Sequence, residues 1–325
     1  MKSLLLLRQI NVENANAISG LTYGFPGISH FLGFTHALSR QLMQAHNLRL
    51  GGCAVVCHHH QLQAYQPGGR GDFVFALTRN PLTKEANTAS FNEEGRMHLQ
   101  ISLMIECEFD ADDLPFGSGQ PEQDVTMLTD WFSQKVPCLR LAGGTITSVG
   151  HVSWLELKQD SEEQHKQVRR LMMRLLPGFA LIGRHELLLA HHQKCLAESS
   201  DAQLIDSWLD FVALRYRSER ADASGHANWV MQPKPESGYL VPMVVGYQAI
   251  SPLYGTGAVA NSRDSDTPFC FVESAYSIGQ WLSPHRVQSL EQIIWRYHYS
   301  DGLYLCHNGY TSVVNEEFEN SEENY

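Results

Sequence analysis

The sequence predicts an α+β fold that opens in the ferredoxin-like manner, with a hairpin inserted between two sheet strands and helices added behind. Three observations lead there. The first sixty residues read as strand, loop, helix, strand. A turn-rich stretch over 61–96 then separates two strand-like runs. With 43% hydrophobic and 18% charged residues over 325 positions, the chain can bury a substantial core. No break cuts it convincingly, so 1–325 reads as a single domain.

Residues 4–10 are a short apolar run bounded by polar residues, the pattern of a buried strand. Residues 11–24 are rich in Asn, Ser and Gly and read as a loop. Pro26 then opens a helix, with Ile28, Phe31, Leu32, Leu38 and Leu42 on one face. Residues 53–57 form a second strand. Within 61–96, Gln66 to Gly71 is a turn-rich tip, 73–77 is one arm of a hairpin, and 78–82 breaks it. Residues 97–105 are the next sheet strand. The acidic stretch 106–124 lacks Lys and Arg and reads as a solvated loop, as does the Ser/Ala/Pro-rich stretch 218–238. The acidic tail 316–325 is expected to be disordered.

The formal net charge of -11, with a pI near 5.8, argues against free, promiscuous nucleic-acid binding. One helix carries the opposite sign. Ser161 is a candidate N-cap, Gln164 completes a capping box, and Glu162 and Glu163 complement the helix dipole. From 166 to 184 there are five cations and no acid. Lys166, Arg169, Arg170 and Arg174 share one face, and Val168, Leu171, Met172 and Leu175 the other; Pro177-Gly178 ends the helix. Such a face can neutralise successive phosphates. It can equally be a plain solvated surface.

The Asn-rich loop offers side chains that both donate and accept, suited to base edges, next to a helix N-terminus suited to phosphate. The alternative is a turn using Asn and Gly for backbone reasons. Arg140 to Gly144, with its Gly143-Gly144 pair, would allow a backbone to approach closely, or it marks a bend. Trp281 to Arg286, followed by Val287, Leu290 and Ile294, reads as a capped helix with Ser283 as N-cap and Pro284 first. His285 and Arg286 would then stand in its first turn.

Cys53, Cys57 and His58 to His60 have no partner pair at zinc-ribbon spacing, and a strand would point them to opposite faces. No metal site and no cofactor is read there. His36, His58 to His60, His98 and His285 are candidate general bases, yet none lies in a recognised arrangement with a nucleophile and an orienting carboxylate. The chain therefore does not read as an enzyme. Seven scattered cysteines, a start with only four leucines before a charge, and no long apolar run predict a reduced, cytoplasmic protein without a membrane span.

Several strings, in order along the chain, carry a resemblance. They are Asn14 to Ser19 with Gly24-Phe25-Pro26, Phe34 to Leu38, Leu77 to Leu82, and Arg140 to Gly144. They continue with Arg174 to Leu181, Leu240-Val241-Pro242, Ser251 to Tyr254, Phe271-Val272-Glu273 and Trp281 to Arg286. Together they resemble the smaller tail subunit of the type I-F (Csy) CRISPR surveillance complex, a member of the RAMP superfamily.

The resemblance implies an RRM-like palm with a thumb inserted between palm strands, where 61–96 lies. It implies binding of the 5′ handle of the guide RNA, pairing with the large tail subunit, contact with the first backbone subunit, and target DNA near the complex tail. Asn14, Asn16 and Ser19 would read handle bases, and Arg79 and Asn80 would belong to the thumb. Arg140, Gly143 and Gly144 would sit close to the RNA backbone, and Arg169, Arg170 and Arg174 would hold phosphates. His285 and Arg286 join that RNA-binding set. The alternative, known among relatives, is a metal-independent endoribonuclease using His36 or His285. Two departures stand out: the thumb tip has only Arg70 as a cation, and the acidic tail matches no part of the pattern.

Overall fold

The computed structural model describes residues 2–118, 120–218, 227–262, 264 and 266–309; the tail expected over 316–325 lies outside them. Ten strands form one antiparallel sheet: β1 (Ser3–Asn16), β2 (Leu50–Leu62), β3 (Arg96–Cys107), β4 (Arg140–Leu141), β5 (Gly144–Glu156), β6 (Phe179–Gly183), β7 (Leu240–Ala249), β8 (Val272–Leu282), β9 (Trp295–Ser300) and β10 (Leu303–Asn308). The helices are α1 (Ile28–His46), α2 (Pro121–Lys135), α3 (Ser161–Met173), α4 (His185–Glu198) and α5 (Leu204–Val212). The class is α+β, as the sequence predicts.

The strands lie in the order β4-β5-β1-β3-β2-β6-β8-β7-β10-β9, and β9 bridges back to β2 through Trp295 and Cys53. In its first half the chain runs β1-α1-β2-β3-α2, then on to β5, while the strands sit side by side as β5-β1-β3-β2.

The apolar run at the start of β1 is continuous because both of its faces are covered. Leu5, Leu7 and Ile10 join a core with Ile28 and Phe31 of α1 and Leu128 and Phe132 of α2. Leu4 and Leu6 point the other way, into a core with Val168, Leu171 and Met172 of α3. Helices α1 and α2 thus cover one side of the sheet and α3 the other.

Several elements differ from expectation. The stretch 11–24 is not a loop throughout, since β1 continues to Asn16 and a two-stranded ribbon follows, Ile18–Ser19 with Thr22–Tyr23. Gln9 and Asn14 take left-handed backbone angles (φ 52° and 56°), and the register against β3 shifts at both places. Two bulges break the alternation of apolar and polar residues, so the outer half of the strand is hard to see in the sequence. Helix α1 begins at Ile28 with Gly27 as its N-cap, so Pro26 lies outside it.

The acidic stretch 106–124 is only partly a loop. Strand β3 reaches Cys107, and α2 starts at Pro121 with Glu122 and Asp124 in its first turn, where the dipole favours them. The stretch 218–238 contains the far arm of a hairpin that pairs Tyr216–Ser218 with Trp229–Met231. No helix follows Trp281, which lies one residue before the end of β8. Two single 3-10 turns, Pro284–Arg286 and Leu290–Gln292, bury Val287, Leu290 and Ile294 against the α3 core instead.

Between β2 and β3 the chain makes two short ribbons, Ala64–Tyr65 with Val74–Phe75 and Leu77–Arg79 with Phe91–Glu93. Among the described residues no helix is long and apolar enough to cross a membrane.

The return of β9 onto β2 is a close approach. A side chain at Gly52 would strike the Trp295 carbonyl oxygen and the Arg296 side chain. Trp295 itself is 1% exposed, and its indole N–H donates to the Leu181 carbonyl at 2.8 Å. Trp295→Ala is expected to destabilise the fold by about 3–5 kcal/mol, through a cavity and an orphaned carbonyl. Urea unfolding of the two proteins measures it.

Candidate functional site

The RNA-site residues read from the sequence fall into two groups along β1. The first surrounds its outer end. Asn14 is exposed, accepts from Gln63 Nε2 at 2.7 Å, and its backbone N–H donates to His98 Nδ1 at 3.3 Å. Asn16 spends its amide on its own turn: Nδ2 donates to the Ile18 carbonyl at 2.8 Å, and Oδ1 accepts from the Ile18 N–H at 3.1 Å. Its backbone N–H donates to the Ala142 carbonyl at 2.8 Å, which brings the β4–β5 turn beside it.

That turn is Leu141-Ala142-Gly143-Gly144, with positive φ at Ala142 (50°) and Gly143 (76°), the geometry of a tight hairpin turn. Gly143 is exposed. Gly144 is buried, and a Cβ there would come within 2.6 Å of the Glu13 carbonyl and 2.8 Å of the Ala15 nitrogen. Packing against β1 accounts for that glycine. Arg140 is exposed, its Nη1 donating to the Gly143 carbonyl at 3.4 Å. Ser19 is buried, and a Cβ on Gly27 would collide with its hydroxyl at 2.5 Å, so Ser19 packs under the start of α1.

The second group lies on the opposite side of the sheet. Asp160, not Ser161, caps α3, accepting the Glu163 N–H at 2.9 Å, and the helix ends at Met173 rather than at Pro177. Arg169, Arg170 and Arg174 are exposed, and no carboxylate among the described residues pairs with them. Lys166 is tied to Glu162 at 2.6 Å, and Arg184 belongs to the start of α4, paired with Glu186. Val168, Leu171 and Met172 are buried, as the helical spacing predicts.

The turn Pro284–Arg286 packs against α3, and its His285 and Arg286 are exposed. His285 Nδ1 is 2.8 Å from Ser283 Oγ. Arg8 of β1 donates to the Arg174 carbonyl at 2.8 Å, anchoring the end of the face to the sheet.

Asn80 donates to the Ser90 carbonyl at 3.4 Å across its ribbon. Arg79 is on the neighbouring ribbon strand, opposite Phe91, with its side chain outside the described residues. Of the candidate bases, His36 is 3.3 Å from the Tyr297 hydroxyl. His58 is held at both ring nitrogens, 2.7 Å from the Pro177 carbonyl and 2.7 Å from Ser102 Oγ. Burial pushes the Cys53 and Cys57 thiols up to about 12, so both stay protonated at neutral pH.

One feature was missed in the sequence. A cleft of about 670 Å³ opens between the ribbon at 18–23, the start of α1, and strands β2, β6, β7 and β8. Phe25, Phe179, Tyr239 and Trp281 are among its walls, with His59 and His60 at one side. Phe25 meets Trp281 edge-on at 4.8 Å, while Tyr239 and Phe179 are 70% and 55% exposed. The only signal in the sequence was indirect. Gly24-Phe25-Pro26, Phe179, Val241-Pro242 and Trp281 come from four of the strings that carry the resemblance, and folding brings all four to this cleft.

A family profile described as CRISPR-associated protein (Cas_Csy2) matches residues 5–306. A CRISPR-associated protein Csy2 from Pseudomonas aeruginosa is 39% identical over 319 residues, covering 93% of this chain and 94% of the relative. The chain belongs to the Csy2 family of CRISPR-associated proteins, the type I-F family its sequence resembles.

Proposed function

We propose that this chain is a non-catalytic RNA-binding scaffold of a type I-F surveillance complex, holding the 5′ handle of the guide RNA and pairing with the large tail subunit. Contact with the first backbone subunit, target DNA near the tail and a cytoplasmic setting belong to the same reading. The observation that carries it is the arginine face of α3. On a chain of net charge -11, α3 presents three exposed arginines that pair with no carboxylate among the described residues, and the turn bearing exposed His285 and Arg286 packs against the same helix. Such an arrangement suits successive phosphates.

The β5-β1-β3-β2 order with α1 and α2 on one side supports reading the first half as a ferredoxin-like, RRM-like palm. The two ribbons between β2 and β3 would then be the thumb, with Arg79 and Asn80 on one of them. Asn14, with Arg140 and Gly143 beside it, is the exposed polar group that a handle base or backbone would meet. Asn16, Ser19 and Gly144 shape that edge from within. The open aromatic cleft offers faces on which unstacked bases can lie.

The test is co-expression of the tagged chain with the large subunit and a guide RNA, followed by sizing of the RNA that co-purifies. Intact RNA, retained only when its 5′ handle is present, is the expected result. Shortened RNA that depends on this chain would instead establish the endoribonuclease reading.

A further inference from the structure

Helices α4 and α5 pack on β8, and α5 also on β7. Their own core is small: Leu188, Trp208 and Phe211 with Leu240 and Ile278. Beside it three metal-binding side chains converge. His191 and Cys195 are one helical turn apart on α4 and share a face. Asp210 approaches from α5. His191 Nε2 is 2.7 Å from Asp210 Oδ2 and 3.5 Å from Cys195 Sγ, and all three atoms lie within 4.8 Å of one another. It is the one such convergence of three among the described residues.

We propose that His191, Cys195 and Asp210 form a binding site for a zinc ion, with solvent as the fourth ligand. Around tetrahedral zinc, with bonds of about 2.0–2.3 Å, the ligand atoms stand roughly 3.3–3.6 Å apart. The sulfur–nitrogen distance already matches, and the oxygen must withdraw from the nitrogen by roughly 0.6–0.9 Å. Hydrogen bonding alone serves the cluster poorly. One imidazole nitrogen faces both a carboxylate and a thiol. If it carries a proton it satisfies Asp210, and the thiol cannot donate to it; if it lacks one, Asp210 is left against a lone pair. A cation at the centre satisfies all three at once.

The donor set is suitable in other ways. A thiolate and a carboxylate balance the charge of a divalent ion, and a sulfur–nitrogen–oxygen set favours zinc over magnesium or calcium. The other carboxylate oxygen, Oδ1, accepts from the Arg215 guanidinium, which fixes the orientation of Oδ2. The His191 ring stands edge-on to Phe211 at 5.3 Å, which holds its plane. Solvent can reach the fourth position, since the His191 and Asp210 side chains remain 18% and 19% exposed. A bound ion would clamp α4 to α5 and so reinforce the small core behind β8.

The complete chain, purified with its partner subunit and RNA and stripped with a chelator, is titrated with cobalt(II) and then with zinc. The expected result is one equivalent of cobalt with a thiolate-to-cobalt charge-transfer absorption, displaced by zinc. Cys195→Ser abolishes the absorption, and Asp210→Asn weakens zinc binding at least about tenfold. Cys138→Ser, at the exposed cysteine on another element, leaves both unchanged. Zinc raises the melting temperature of the parent protein and not that of Cys195→Ser. His191→Gln is the second variant should Cys195→Ser fail to fold. An absent charge-transfer band, or one that survives in Cys195→Ser or His191→Gln, overturns the proposal. Equal zinc content in the parent and these variants also overturns it, as an adventitious ion only.

Discussion

Replacing Arg169, Arg170 and Arg174 together with alanine is expected to weaken RNA retention about 100-fold or more without unfolding the protein. Each charged contact to a phosphate contributes about 1–2 kcal/mol, and three lie on this face. The salt dependence separates this effect from a loss of shape. Each phosphate neutralised on a single strand adds roughly 0.7 to the slope of log affinity against log salt. The triple variant should therefore flatten that slope by about 2. The side chains are exposed, and only the backbone carbonyl of Arg174 serves a tertiary bond, so each substitution should change stability by no more than about 0.5 kcal/mol. Filter binding of handle RNA across a salt series, with urea unfolding as the control, measures both. An unchanged slope in the folded variant removes α3 from the RNA surface.

Glu106→Ala is expected to cost about 3 kcal/mol or more at neutral pH, the largest loss foreseen for a single charge. Glu106 sits in β3 where β2 and β9 meet. Arg296 holds it with two parallel bonds, Nε to Oε2 at 2.9 Å and Nη2 to Oε1 at 3.0 Å, and the Gly52 N–H adds a third at 3.1 Å. The Glu106 side chain is only 12% exposed. Removing it leaves a half-buried guanidinium with the more exposed Glu291 as its remaining carboxylate.

Burial alone would raise the Glu106 carboxyl, but the Arg296 guanidinium and the Gly52 N–H outweigh it and hold the group below its ordinary 4.5. A lowered native value means that the contribution is complete above 4.5 and fades as the pH falls through the native value. The stability gap between the parent protein and Glu106→Gln should thus be full near neutrality and shrink below about pH 4. Urea midpoints at both pH values check it. A gap independent of pH would mean that Glu106 packs there without carrying charge.

What the sequence by itself determined is local. Helical spacing in α1 and α3 assigned the buried and solvent faces correctly, because 3.6-residue periodicity needs no knowledge of a partner. The apolar run over residues 4–10 announced a buried strand. The arginine face was legible for the same reason: charge at helical spacing is a property of one element.

Tertiary structure decided the rest. The bulges at Gln9 and Asn14 hid the outer half of β1, since one extra residue inverts the alternation on which a strand is recognised. Residues 284–292 form two short turns rather than a helix because Val287, Leu290 and Ile294 are drawn down onto α3. Asn16 and Gly144 read as binding residues in the sequence, and only the fold shows that the Asn16 amide bonds its own turn and that Gly144 packs against β1. The aromatic cleft and the His191, Cys195 and Asp210 cluster join residues far apart along the chain, and no local pattern records that they will meet.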